Sequence, residues 1–417
     1  MSSPTAVFAR ADGSVLDLPG VQAAADDGRV QPAGAGDFIP LPEGSLLLTL
    51  PARNVVGYRD GRPVEFDAFE GESVCAVAAA LPLGYTRTLL PAYVPRAQAP
   101  PLPLYGYAAV AWHGGALHAG AMRTDHLQSW SPAAHARDKL ARAIAARREE
   151  MPDSPLLRQL ERCALEYGCY TAQNAFLRLG EAAIPVSPAC NARCIGCISE
   201  QEPDAGIASA QERVRALPAL RDMTELAVAH LDAGSARIVS FGQGCEGEPL
   251  LAAPRIAAAI RNIRARTKAG TIHMNTNASL PRALETLIDA GLQSVRISLN
   301  AARPSAYAAY YRPRGYGFDE VIESIELASR RGLGLSLNLL THPGVTDDPD
   351  EIDAFGALLR AHPVEMVQTR TLNVDPAVYF EALGRPTRTP IGMRGWFAWM
   401  RATFPAVGLG NFTRGFG

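Results

Sequence analysis

The chain has 417 residues, of which 47% are hydrophobic and 20% charged, and its formal net charge is −2. This length allows two or three domains, and this composition excludes general disorder. The nearly neutral charge argues against a broad surface for nucleic acid or anionic membranes. No apolar run reaches the ~18 residues of a membrane span, and the N-terminus lacks a signal-peptide pattern, so the sequence predicts a cytoplasmic protein.

Residues 1–130 are predicted to form a β-rich N-terminal domain. The stretches FARADGSVLDL and AAVAWHGGALHAG each place a short polar or glycine turn between apolar runs, which is typical of β-hairpins. Between them, RAQAPPLPLYG is dense in proline and predicts an extended connector.

Residues 131–182 are predicted to form a helical bridge. The stretch SPAAHARDKLARAIAARREEM has Ser131 at the expected N-cap, proline just inside, and apolar residues at helical spacing. A second helix is predicted over SPLLRQLERCALEYGCYTAQNAFLRL.

Residues 183–417 are predicted to form an α/β domain with a parallel sheet, because strand-like runs alternate with amphipathic helices. Six βα units are too few for a closed eight-stranded barrel, which leaves a partial, open barrel or a doubly wound sheet. In either architecture the functional site lies at the C-terminal ends of the strands. The predicted strands are AAIPVS, ARIVSF, TIHMN, SVRISLN, GLSLNLL and VEMVQTR.

Three of the seven cysteines, Cys190, Cys194 and Cys197, follow the first of these strands. In a reducing compartment such a group indicates metal binding or chemistry rather than disulfides. Thiolates at Cys-x3-Cys-x2-Cys can ligate three corners of a [4Fe–4S] cluster and leave one iron open for a ligand that is not protein. Structural zinc is the main alternative, but it prefers four ligands on paired Cys-x2-Cys arms, and no second arm follows.

This spacing after the first strand of a partial (β/α)6 barrel resembles the radical S-adenosylmethionine (radical SAM) superfamily, over about residues 183–380. The resemblance implies a TIM-like partial barrel in which the three cysteines hold a [4Fe–4S] cluster and SAM chelates the open iron. It further implies that one electron, from a donor such as flavodoxin or ferredoxin, cleaves SAM. The products are methionine and a 5′-deoxyadenosyl radical, which abstracts hydrogen from a substrate.

The same resemblance implies SAM contacts at the other strand ends. The segment GQGCEGEPLL, after the second strand, is similar to the family's Gly-Gly-Glu-Pro segment and implies that Gly247 and Glu248 hold the amino group of SAM. Together the implied contacts surround one opening of the predicted barrel with amides, hydroxyls and guanidinium groups, as a polar cofactor requires. The contacts implied on the third to sixth strands are Thr276, Asn277, Ser298, Asn300, Asn338, Gln368 and Arg370.

Two positions depart from the family pattern. The residue before the third cysteine is usually aromatic and holds the adenine, but here it is Gly196, so other groups are expected to hold the adenine. Glu246 replaces the first glycine of Gly-Gly-Glu-Pro. The cysteines outside the motif allow a second cluster, a thiol that donates or accepts a hydrogen atom, or three small buried side chains with one loop thiol, and their irregular spacing favours the last interpretation. These cysteines are Cys75, Cys163, Cys169 and Cys245.

The sequence does not determine the class of substrate. About 180 residues precede the barrel, which favours a large or carried substrate and therefore peptide or protein modification. A nucleoside, an RNA base or a small metabolite is the alternative, although the lack of a basic patch argues against RNA. A non-catalytic iron–sulfur or zinc-binding protein is the alternative to an enzyme. Among the scattered histidines, His342 is the best placed to face a substrate.

Overall fold

The structure is a computed structural model, and it describes residues 3–125, 130, 132–234 and 236–415. Strands predominate up to residue 123, a bridge of helices follows, and a parallel sheet with flanking helices occupies most of the remainder. Across these described ranges, no helix has the length and apolar character needed to cross a membrane.

The N-terminal domain is built from antiparallel strands, as its sequence predicts. Within the described residues its strands are β1 Thr5–Ala9, β2 Val15–Asp26, β3 Val30–Pro32, β4 Ile39–Pro40, β5 Leu46–Leu50, β6 Arg53–Arg59, β7 Arg62–Phe66, β8 Ala68–Phe69, β9 Glu72–Ser73, β10 Ala76–Ala80, β11 Tyr85–Arg87, β12 Leu90–Pro91, β13 Tyr93–Pro95, β14 Ala108–His113, β15 Ala116–Ala119 and β16 Ala121–Arg123. Twelve of these form one sheet, whose central path runs β13-β6-β2-β1-β14-β10-β5. The pairs β11–β16 and β8–β9 form two small separate sheets.

Both predicted hairpins are present. Strand β1 pairs with β2, and the Asp12 carboxylate closes their turn by accepting a hydrogen bond from the Ser14 backbone N–H at 2.8 Å. Strand β14 pairs with β15 through Gly114 and Gly115, whose φ angles are 58° and 83°. Tight two-residue hairpin turns favour positive φ at both central positions, and glycine adopts it without steric cost.

The proline-dense connector, residues 96–107, contains no helix or strand, as predicted. It is held against the parallel-sheet domain, because the Leu102 backbone N–H donates to Asp375 Oδ2 at 2.8 Å. Arg53 pairs with the same carboxylate at 3.2 Å and donates to the Pro100 carbonyl at 2.6 Å. The connector is therefore part of the contact between the two domains.

The second predicted helical segment of the bridge forms two helices. It is divided at Gly168, whose φ of 62° lies outside the right-handed helical region. The expected N-cap Ser131 lies outside the described residues. Ser154 caps the next helix by accepting a hydrogen bond from the Leu157 N–H at 3.2 Å. After a 3₁₀ turn at Pro132–His135, the described bridge helices are α1 Arg137–Glu150, α2 Pro155–Leu165 and α3 Tyr170–Leu177.

The sheet of the C-terminal domain is parallel, and its described strands follow each other in chain order. A doubly wound sheet would reverse its strand order at a switch point, so the predicted partial barrel is confirmed as a curled, open half-barrel. The predicted strands are present, but a short seventh strand was missed, because its Gly-Leu-Gly sequence has no β-branched or aromatic residue. The strands are β17 Glu181–Ala183, β18 Ile238–Phe241, β19 Thr271–Thr276, β20 Ser294–Leu299, β21 Gly334–Thr341, β22 Met366–Thr371 and β23 Gly408–Gly410.

Helices connect these strands and bury one face against the sheet. The bridge shares this core, since Leu160 and Phe176 belong to the same buried cluster as Val239 and Ile272 of the sheet. The described helices of this domain are α4 Leu220–Leu231, α5 Ala253–Arg266, α6 Pro281–Ala290, α7 Pro304–Tyr311, α8 Phe318–Arg330, α9 Pro349–Ala361, α10 Pro376–Leu383 and α11 Gly392–Thr403.

Candidate active site

The three predicted cluster ligands lie on one irregular loop that follows β17. Cys190, Cys194 and Cys197 are half-buried free thiols, and all three line a cavity of about 480 Å³. A volume of this size is in the range of small-molecule and cofactor sites. The structure therefore brings the three thiols to one cavity at the C-terminal end of the sheet.

Helix α7 anchors the cysteine loop. The backbone N–H of Arg193 donates to the Tyr311 carbonyl at 2.9 Å, and the N–H of Ile195 donates to the Tyr310 carbonyl at 3.0 Å. These are the last two residues of α7, whose carbonyls have no partner inside the helix. The helix end thus fixes the backbone between the first and third cysteines.

The chemical state of the thiols follows from their burial. Burial raises the pKa of the Cys190 thiol, and it raises the pKa of the Cys194 thiol further. The neighbouring thiols of Cys197 and Cys190 add to the shift at Cys194. Arg213 Nη2 donates to Cys197 Sγ at 3.5 Å. Without metal, Cys190 and Cys194 are protonated at neutral pH, so iron binding must displace protons.

The loop after β18 packs directly on the start of the cysteine loop. The Gly247 N–H donates to the Ser187 carbonyl at 2.7 Å, and the Glu248 N–H donates to the Ala189 carbonyl at 2.9 Å. A Cβ at position 247 would lie 2.0 Å from the Ala189 carbonyl oxygen. Only glycine fits this close approach, so the predicted SAM contact Gly247 also has a structural function.

Glu246, one of the departures from the family pattern, holds the same loop in place. Its buried carboxylate accepts hydrogen bonds from the Val186 and Ser187 N–H groups, both at 2.7 Å, and from the Gln243 N–H at 2.6 Å. Burial raises its pKa to about 7. The sequence analysis missed this structural function, because the partners are backbone groups of a remote segment.

Glu248 joins the loop after β18 to the end of β19. Its Oε1 accepts hydrogen bonds from the Thr276 hydroxyl at 2.5 Å and the Leu250 N–H at 2.9 Å, and its Oε2 accepts one from the Asn277 N–H at 2.8 Å. Burial raises its pKa to about 7. Because Oε2 has a single donor, it keeps capacity for another. Four of the predicted SAM contacts therefore lie together, namely Gly247, Glu248, Thr276 and Asn277.

A pair of amides ties Asn277 to the cysteine loop. Asn277 Nδ2 donates to Asn191 Oδ1 at 2.9 Å, and Asn191 Nδ2 donates to Ser279 Oγ at 2.9 Å. Asn191 directly follows the first cluster cysteine. It therefore fixes this cysteine against the end of β19, although no motif in the sequence marked it.

Three more of the predicted contacts form a row across the sheet. Ser298, Asn338 and Gln368 are register neighbours on β20, β21 and β22. Asn338 Nδ2 donates to Ser298 Oγ at 3.5 Å, and Gln368 accepts from Arg296 at 2.6 Å, but Asn338 Oδ1 and Gln368 Nε2 are buried without a partner. Arg370 follows two residues beyond Gln368, and burial lowers its pKa to about 10. Two amide groups of the row are therefore unsatisfied, and the contact of these residues with SAM stays a prediction.

Asn300 is not part of this row. It is fully buried, and its Nδ2 donates to the Ala306 carbonyl at 3.1 Å and to Tyr379 Oη at 3.0 Å. These partners belong to α7 and α10, and the Oδ1 atom has no partner. Its contact with SAM stays a prediction.

The structure explains why position 196 carries no aromatic side chain. A Cβ on Gly196 would lie 2.9 Å from Tyr310 Oη and 3.0 Å from the Asn373 carbonyl oxygen. Tyr310 of α7 thus occupies the space beside the third cysteine. The sequence contained no indication of this, because α7 is remote from the cysteine loop along the chain.

Three of the other cysteines come together in the core. The thiols of Cys163 and Cys245 are in contact, and Cys169 lies beside them. Their irregular spacing did not indicate this proximity. In the part of the chain that the structure describes, no group of three or more His, Cys, Asp or Glu side chains is arranged around a single metal ion.

Comparison with known proteins identifies the class. Residues 184–355 match the family model described as the Radical SAM superfamily. These residues form a radical SAM domain, so the resemblance of the cysteine loop is confirmed. Members bind a [4Fe–4S] cluster and SAM, and three thiols facing one cavity fit these cofactors.

Relatives of known name match a part of the chain. The GTP 3′,8-cyclase of Chlorobaculum tepidum is 30% identical over 181 residues, which cover 43% of this chain and 49% of that protein. The GTP 3′,8-cyclase of Alkaliphilus oremlandii is 29% identical over 191 residues, which cover 45% and 55%. The chain thus spans about half the length of these relatives. Among solved structures, methylornithine synthase aligns with a TM-score of 0.41 at 14% identity, over 57% of this chain and 68% of that one. Such a likeness says nothing about the substrate.

Proposed function

We propose that Cys190, Cys194 and Cys197 hold a [4Fe–4S] cluster and that the cavity beside them binds SAM for reductive cleavage. When bound, these cofactors supply a 5′-deoxyadenosyl radical that abstracts a hydrogen atom from a substrate. The observation that carries the proposal is the set of three thiols on one loop, all facing one cavity. The chain works in the cytoplasm and takes its electron from a donor such as flavodoxin or ferredoxin.

The residues of this chain bind and position the cofactors. Glu248 presents a carboxylate oxygen to the ammonium group of SAM, and Gly247 allows the loop to approach the cysteines. Asn191 and Asn277 hold the cysteine loop in register with the sheet. The unsatisfied amides of the strand row provide polar contacts farther into the barrel.

For the substrate, the proposal is a peptide or protein. Pro101 and Leu102 of the N-terminal domain line the cavity together with the cluster cysteines, so a whole additional domain borders the reaction space. A nucleotide is the second candidate, since relatives that match part of the chain are named GTP 3′,8-cyclases. Consumption of GTP by the reduced enzyme would favour the nucleotide.

The cluster is tested by changing each motif cysteine. The substitutions Cys190→Ala, Cys194→Ala and Cys197→Ala should each abolish the iron–sulfur absorbance, because each removes one of three protein ligands. Iron content after anaerobic purification measures this, and the wild type should carry about four irons and form 5′-deoxyadenosine under reduction. Cys75→Ala, in the N-terminal sheet, is the control that keeps the cluster. Full iron content in all three motif variants would contradict the proposal.

A further inference from the structure

Arg87, the last residue of β11, is fully buried, and its guanidinium group makes a single hydrogen bond in the described structure. Its Nη1 donates to the Tyr107 carbonyl at 3.2 Å, whereas Nε and Nη2 have no partner. Burial lowers its pKa to about 9, so the guanidinium is charged at neutral pH. A buried charge without an opposite charge is strongly destabilising, so this arrangement calls for an anionic partner.

Arg53 offers a direct comparison at the same contact between the domains. It is also buried, but it pairs with Asp375 at 3.2 Å and donates to the carbonyls of Pro51 at 2.9 Å and Pro100 at 2.6 Å. Within the described residues, Arg87 has no such carboxylate. At the contact between the domains, the charge of Arg53 is therefore compensated by Asp375, whereas the charge of Arg87 is not compensated.

The two unpartnered nitrogens of Arg87 form one edge of the guanidinium group. The N–H of Nε and one N–H of Nη2 point in the same direction, and this edge matches two oxygens of a carboxylate or a phosphate. The Tyr107 carbonyl binds the third nitrogen and so fixes the orientation of the plane. An oxyanion is the ligand whose charge and geometry fit both free donors.

Barrel side chains that interact with Arg87 bring unsatisfied acceptors into its neighbourhood. Tyr379 of α10 and His342, which follows β21, interact electrostatically with Arg87, and their rings are 4.6 Å apart. His342 Nδ1 is 2.8 Å from the Pro343 carbonyl, so this nitrogen carries the proton and Nε2 is an acceptor. His342 Nε2 and Asn300 Oδ1 are both buried without a partner. A ligand with an N–H or O–H beside its oxyanion would satisfy them.

Chain neighbours of this cluster line the cysteine cavity. These are Val378, which precedes Tyr379 on α10, and Leu102 of the connector that leads to Tyr107. Arg87 itself is fully buried. We propose that Arg87 binds a carboxylate or phosphate group of the substrate. This inference rests on the proposed function, because it takes the cavity as the place of reaction.

The test measures thermal unfolding of the anaerobic holoenzyme with sodium acetate or sodium phosphate against sodium chloride at equal ionic strength. We expect at least one oxyanion to raise the midpoint of the wild type saturably, by roughly 2 °C. Arg87→Met and Arg87→Lys should lose this shift, because neither side chain presents a two-donor edge. Acetate stands for a carboxylate ligand and phosphate for a phosphate ligand, so the probe that raises the midpoint shows which of the two groups Arg87 binds.

Arg53→Met is the matched control. In sodium chloride, Arg87→Met should be at least as stable as the wild type, because it removes an uncompensated charge. Arg53→Met should be less stable, because it leaves the buried Asp375 without its counter-charge. The inference is overturned if the wild type responds to neither probe or if the Arg87 variants respond equally. It is also overturned if saturating SAM abolishes the response, since the oxyanion would then be that of SAM. Iron content and 5′-deoxyadenosine are measured separately on the wild type, so failure of the radical SAM proposal is recognised independently.

Discussion

Two buried glutamates in the loop after β18 differ in what their carboxylates bind. Glu246 accepts three backbone N–H groups, whereas Glu248 accepts one hydroxyl and two N–H groups. Burial raises the pKa of both to about 7. In each carboxylate one oxygen has two donors and the other has one, so the proposed SAM contact of Glu248 rests on the resemblance of the Gly-Glu-Pro segment.

The substitution Glu248→Gln should weaken SAM binding about ten- to a hundred-fold with the cluster intact. A charge-assisted hydrogen bond contributes roughly 1.5–3 kcal/mol, and the amide retains an acceptor for Thr276 while it loses the charge. Equilibrium binding of SAM measures the effect. Glu246→Gln, the control, should lower stability instead, because it disturbs three backbone contacts.

The pH dependence of SAM affinity gives a second measurement of the same prediction. Below about pH 7 the Glu248 carboxyl becomes protonated and loses its attraction for an ammonium group, so affinity should fall as the pH decreases through this value. Glu248→Gln should remove this dependence. Unchanged affinity in the variant, at every pH, would mean that the Gly-Glu-Pro segment is only a turn.

The cysteine loop is held from two sides by other elements. The C-terminal end of α7 binds its backbone between the cysteines, and the loop after β18 packs on the residues before Cys190. The second contact depends on Gly247, because a Cβ there would meet the Ala189 carbonyl oxygen. Both atoms belong to the backbone, so neither can move away without displacing the cysteine loop.

Gly247→Ala should therefore reduce both stability and cluster content. Overpacking of this kind typically costs ~1–3 kcal/mol, and here the displaced segment carries Cys190. Iron content and the midpoint of thermal unfolding measure the effect. Gly36→Ala is the matched control, because no atom lies within 4 Å of a Cβ at that position. A Gly247→Ala protein with normal iron and stability would show that the contact is not close.

Local sequence patterns predicted the elements and the cysteine motif, but not the contacts between remote segments. Strands rich in Val, Ile and Leu were identified, and β23 was missed because its Gly-Leu-Gly sequence has no strand preference. The motif cysteines and Glu248 were predictable because their spacing is local. Asn191, Tyr310 and Arg87 have contacts with residues far along the chain, and no local spacing in the sequence indicates them.

Asp375 joins the two domains of the chain. Its Oδ2 pairs with Arg53 at 3.2 Å and accepts a hydrogen bond from the Leu102 N–H at 2.8 Å. Its Oδ1 accepts from the Tyr93 hydroxyl at 3.2 Å and caps α10 through the Ala377 N–H at 2.9 Å. One carboxylate thus fixes three groups of the N-terminal domain beside the cavity that it lines.

Asp375→Asn should destabilise the protein by about 3–5 kcal/mol, because it leaves the buried Arg53 without its counter-charge. The midpoint of thermal unfolding should fall, and limited proteolysis should cut residues 96–107 faster. Asp350→Asn, which breaks an exposed pair with Arg388, is the control and should cost less than about 1 kcal/mol. Equal stability of the two variants would show that Asp375 does not hold the domains together.

The anchoring of the cysteine loop by α7 has a consequence for protein synthesis. Tyr310 and Tyr311 are made about 110 residues after Cys197, which at about 5–20 residues per second is an interval of roughly 6–20 s. Throughout this interval the backbone between the cysteines lacks the two carbonyls that hold it. A nascent chain that ends before Tyr311 therefore cannot give the loop its final form. Iron insertion into the finished loop follows translation of α7.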